Sequence, residues 1–130
     1  MARYDKYDPI SGGFRAALAA DIDSDQVGVP LGIGLDGNGR VDSTAPASGV
    51  LAVLVVDSPK AAGDIVDCMT DGEIVDCEDL TAGTVYFADP ADGSLSDDAP
   101  AAGDAGVRVG HTVEATRLVV RIAPVSTPAA

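Results

Sequence analysis

Asp21, Asp23 and Asp25 have the spacing that opens a calcium-binding loop, in which alternate carboxylate oxygens converge on one cation. Such a loop also needs a glycine at its sixth position and a bidentate glutamate at its twelfth, where this chain has Gln26 and Gly32. The segment therefore reads as a solvated acidic linker. The turn from Asp36 to Asp42 fails likewise, with Arg40 where a third oxygen ligand belongs. Cys68 and Cys77 are too few for a structural zinc site, and His111 is the only histidine and far from both. In a reducing compartment their bland spacing reads as two buried thiols rather than a disulfide.

His111 is also the only imidazole that could serve as the base of a hydrolytic triad. Strand alternation from Val109 to Val113 places it on one face with both valines, a structural position. Aspartates abound, so a carboxylate pair is always arithmetically available, but five aromatics and no Trp leave a sugar site without stacking platforms. Gly32 to Gly37 runs into a hairpin and not a helix, which removes the phosphate-loop reading. The expectation is a protein with no enzymatic activity, no cofactor and no metal.

Composition narrows the classes further. The chain has 130 residues, 21 Asp+Glu against 8 Lys+Arg, and a net charge of −13. That charge repels phosphate backbones and anionic headgroups, so neither nucleic acid nor a membrane surface is an expected partner. No apolar run reaches the length of a membrane helix, and Asp5 and Asp8 interrupt what a signal peptide would keep basic. Synthesis in the cytoplasm without export by the general route is the expectation. Eighteen of the acids are Asp, which favours turns and caps over helices and strands.

The elements follow from periodicity. Val27, Val29, Leu31, Ile33 and Leu35 form one apolar face of a strand whose other face is nearly all glycine, with Pro30 suggesting an edge or bulge. Asp36-Gly37-Asn38-Gly39 turns the chain back towards Val41. The run from Gly49 to Val56 reads as a central strand buried on both faces. Asp64-Ile65-Val66-Asp67-Cys68 nearly recurs as Glu73-Ile74-Val75-Asp76-Cys77, and Asp71-Gly72 between them predicts a hairpin. That hairpin would set Cys68 opposite Val75 and Val66 opposite Cys77. Residues 84–88, 106–113 and 116–122 read as further strands, with a polar loop over 89–105 and Pro124 and Pro128 ending the ordered part. The fold class is all-β: a small antiparallel β-barrel or sandwich with an extended N-terminal arm. Domain organisation reads as an arm over 1–26, a β-domain over 27–123 and a tail over 124–130.

The arm differs electrostatically from the rest. Residues 1–20 carry a balance of +1 and the remainder −14, and three of the five aromatics fall in this first stretch. Aromatic and Arg side chains are the types enriched in interface cores. Arg3, Tyr4, Lys6, Tyr7, Phe14, Arg15 and Leu18 are therefore the candidate interface residues. Phe14 to Ala20 reads as two helical turns with Phe14 and Leu18 on one face.

Several blocks together resemble a known family. They are Tyr4 to Pro9 with Gly12-Gly13-Phe14-Arg15 and Leu18-Ala19-Ala20-Asp21, Gly32 to Val41, Gly49 to Val55, Ala62 to Asp67 with Gly72 to Val75, Ala82 to Ala88, and Val109 to Glu114 with Arg117 to Ile122. Their order and spacing resemble the capsid decoration, or cement, proteins of tailed viruses of bacteria and archaea. The resemblance implies a virion protein on the capsid exterior, with the major capsid protein and itself, as a homotrimer, for partners. It would bind at threefold and quasi-threefold positions and stabilise the DNA-filled head. The alternative reading is a secreted or surface-displayed, adhesin-like β-module, assisted by a divalent ion and without catalytic activity.

Overall fold

The computed structural model describes residues 3–5, 12–44, 46, 48–89, 92–97 and 105–126. Their regular structure is all β except for one 3-10 turn at Ser24–Gln26. The strands are β1 (Arg3–Asp5), β2 (Gly13–Ala17), β3 (Leu31–Leu35), β4 (Val41–Asp42), β5 (Ala52–Leu54), β6 (Ile65–Met69), β7 (Asp71–Val75), β8 (Val85–Ala88), β9 (Leu95–Ser96), β10 (Ala105–Thr112) and β11 (Leu118–Ser126). They form two antiparallel sheets, one ordered β2-β6-β5-β3-β4 and the other β1-β7-β11-β10-β8-β9.

The five-stranded sheet curls until its outer strands meet. Leu18, just after β2, bridges Val41 in β4 in parallel, and the Ala19 N–H donates to the Val41 carbonyl at 2.9 Å. One apolar cluster, including Leu18, Ile33, Val41, Leu54 and Cys68, fills the curl. A second, including Val53, Met69, Ile74, Tyr86, Val109 and Leu118, lies where the two sheets face each other. Strand β5 serves both, with Ala52 and Leu54 in the first cluster and Val53 in the second. A strand whose alternate residues both face apolar surroundings must be apolar throughout, so the run from Gly49 to Val56 reads correctly as central.

The glycine face of β3 has a steric cause. Leu31 and Ile33 point into the curl, while a Cβ on Gly32 would lie 2.5 Å from the Ala88 Cβ of the other sheet. Only glycine lets the sheets approach this closely at that point. The expected hairpin after Leu35 is present: Leu35 pairs with Val41, and the Asp36 N–H donates to the Arg40 carbonyl at 2.9 Å.

Three expectations are corrected. The near-repeat is not a hairpin, because β6 pairs with β2 and β5 in one sheet while β7 pairs with β1 and β11 in the other. Asp71 and Gly72 are strand residues opposite Arg121 and Val120, and the chain changes sheets at Thr70. Each half of the repeat satisfies a separate core, Val66 and Cys68 inside the curl and Ile74 and Cys77 between the sheets, and this burial overrides the local turn signal. Residues 13–17 are strand and not helix, since pairing with β6 lets Phe14, Ala16 and Leu18 face the curl at period two. Pro124 does not end β11, which continues to Ser126. Beyond Ile122, whose N–H donates to the Thr70 carbonyl, β10 is the only strand paired with β11 among the described residues, and a residue without an N–H is tolerated beside an unpaired edge.

Candidate functional site

The N-terminal segment supplies an outermost strand to each sheet: β1 to the six-stranded and β2 to the five-stranded. Arg3 and Tyr4 pair with Val75 and Ile74 through their backbones, and Lys6 and Tyr7 lie outside the described residues. The structure separates the other three candidates by strand phase. Leu18 is 3% exposed and Phe14 packs against the same cluster inside the curl, so both are spent on the domain's own core. Arg15 faces outward, its Nε 2.6 Å from the Asp67 carboxylate, both side chains being mostly exposed. A pair so open to solvent contributes little to stability. Beside it, Ala17 pairs with Ile65, which at 64% exposure is the most exposed large apolar side chain among the described residues. Alternation in the Ile65–Asp67 stretch carried the signal for that residue, and the repeat masked it by suggesting a hairpin face.

His111 lies on the outer face of the six-stranded sheet, not with Val109. The register of β10 shifts against both β8 and β11 between Arg108 and Gly110, so Val109 is fully buried while His111 is exposed. A bulge of this kind reverses the alternation on which the sequence expectation rested. A Cβ on Gly110 would meet the Val119 carbonyl oxygen at 1.9 Å, so the shifted register requires glycine there. Around the bulge is a shallow depression of about 420 Å³, lined by Arg108, His111 and Arg121 with Asp71 and Val119. None of the two guanidinium groups and the imidazole has a hydrogen-bond or ion-pair partner among the described residues.

Both thiols are free and buried. Burial pushes the Cys68 thiol up to about 12, with the Asp67 charge adding to it. Burial likewise raises Cys77 to about 11, against a hydrogen bond from the Leu118 backbone that lowers it. Neither is a nucleophile near neutral pH. Among the described residues no group of three or more His, Cys, Asp or Glu side chains is placed to hold a metal ion, and no helix is long and apolar enough to cross a membrane. Asp21 instead accepts the Ala62 N–H at 2.8 Å, fastening its loop to the turn before β6. The arrangement is that of surfaces able to bind through exposed apolar and cationic groups.

Comparison with known proteins places the fold. No protein-family model matches the chain, and no curated protein does. A solved structure from Mycobacterium phage Patience superposes with a TM-score of 0.80 at 20% identity, covering 96% of this chain and 97% of that one. The likeness is one of fold.

Proposed function

We propose that this chain is a virion structural protein of a tailed virus, without catalytic activity, that binds the outside of the assembled icosahedral capsid as a homotrimer. The observation that carries the reading is the end-to-end likeness in fold to a structure from a phage, which leaves almost no part of either chain unmatched. The order and spacing of the sequence blocks, which resemble those of decoration proteins, support the same role. DNA packed in a head pushes outward, and a cap touching several capsid subunits adds contacts that must all break before the shell opens. Three weak contacts joined in one trimer act at high effective concentration, so avidity holds the cap in place.

The N-terminal edge, with Arg15 and the exposed Ile65, is the docking side in this reading. Removing residues 2–20 would delete β2 and Leu18 and unfold the curl, so point variants are the proper test. Cryo-electron microscopy of virions carrying the wild-type chain should show it outside the shell at threefold positions, and Ile65→Asp with Arg15→Glu should lower its occupancy. Absence from particles, or a location inside the head, would overturn the proposal.

A further inference from the structure

The outer face of the six-stranded sheet collects cations in a chain that is otherwise short of them. Arg108 and Arg121 are two of only 8 Lys+Arg residues, and with His111 they surround one depression in which Asp71 is the single acid. Exposed apolar side chains lie close by. Val85 pairs directly with His111 and is 39% exposed, and Val113, just past the end of β10, is 49% exposed. Exposed valines beside unpaired guanidinium groups have the composition of an interface core rather than of an ordinary solvated surface.

We infer that this face docks the acid-rich surface of a second copy of the chain. Charge complementarity selects that occupant: each copy carries 21 acids, and the depression sets Arg108, Arg121 and His111 against the single carboxylate of Asp71, with no hydrogen-bond or ion-pair partner for those three among the described residues. Complementarity also sets the symmetry. A twofold contact would lay Arg108 and Arg121 of one copy against the same residues of the other, which like charges oppose. A heterologous contact sets the basic face of one copy on the acidic surface of the next, and such contacts close into a ring when the rotation between copies is a whole fraction of a turn. The inference rests on the trimeric reading above and deepens it by placing the subunit contact, and its first measurement, of self-assembly, needs no capsid.

Sedimentation of the purified full chain should give a multiple of 13.0 kDa with cyclic rather than dimeric stoichiometry. Arg108→Glu with Arg121→Glu should weaken assembly by about 100-fold, the scale of close interfacial charge pairs. Val113→Glu, on the same face but remote from the guanidinium pairing, should weaken it too, and circular dichroism of both variants checks that the sheet is intact. A wild-type monomer at every concentration, a twofold dimer, or unchanged assembly in both variants would overturn the inference. Unchanged assembly with lost capsid binding would assign the face to the capsid and overturn self-docking alone. Intact self-docking in a protein absent from virions would instead overturn only the capsid reading.

Discussion

Among the described residues Leu18 and Val41 form the single parallel bridge in an otherwise antiparallel five-stranded sheet, and both side chains are buried in the cluster it encloses. A contact between Leu18, just after β2, and the two-residue return strand of the first hairpin thus joins the two outer strands of the curl. Residues 13–18 of the segment that charge and aromatic content set apart are part of the wall of the curl.

Truncating that contact should open the curl. Leu18→Ala removes a side chain that is 3% exposed, and a loss of about 2–5 kcal/mol is expected for such a cavity. Urea unfolding monitored by circular dichroism gives the value. Ile65→Ala, on the solvent side of β6, should leave the midpoint nearly unchanged.

Gly32 and Ala88 face each other at a close approach of the two sheets. Gly32→Ala forces a Cβ to within 2.5 Å of the Ala88 Cβ and should destabilise by about 1–3 kcal/mol, as overpacking does. Ala88→Gly in the same chain should return part of the loss, a coupling that a double-mutant cycle of unfolding free energies measures.

The cysteines should behave as core residues. Neither Cys68 nor Cys77 should react with a thiol reagent at pH 8 until the protein unfolds, and mass spectrometry after a denaturant pulse checks this. Their folded values, about 12 and about 11, lie above the ordinary 9.0. The stability they contribute is therefore complete below pH 9 and lost as pH rises towards 11 and then 12. Replacing both with Ala should flatten that alkaline fall.

Asp36 should act at the other end of the pH scale. Its carboxylate accepts the Arg40 N–H at 2.9 Å and the Asn38 N–H at 2.8 Å, and these bonds hold its pKa below 3.8. The stability it lends to the first hairpin is present above 3.8 and lost as pH falls through its lowered folded value. The gap between wild type and Asp36→Ala in thermal midpoint should close as pH is taken down through that region.

Much of the fold is legible in local pattern. The buried run around Val53, the Asp36–Gly39 turn and the strands at 85–88 and 105–112 rest on alternation and turn chemistry, which neighbouring residues set among themselves. The candidate interface was less legible. Leu18 and Phe14 have interface composition, yet strand phase turns both into the curl; Arg108, His111 and Arg121 are scattered in sequence and meet only because β10 and β11 pair across a register shift. The helix expected over 14–20 was plausible on spacing alone, and pairing with β6 decided otherwise.

The sequence by itself determined that the chain is acidic, turn-rich and β, that its thiols are buried, and that no residue set has the spacing of a metal or phosphate loop. Those are properties of composition and of neighbours a few residues apart. Only the tertiary structure decided that two nearly identical pentapeptides belong to different sheets, and that Cys68 and Cys77 sit in separate cores. A pentapeptide can satisfy its alternation in either sheet, and which one it joins depends on the apolar surface waiting on each side, a quantity no local window contains.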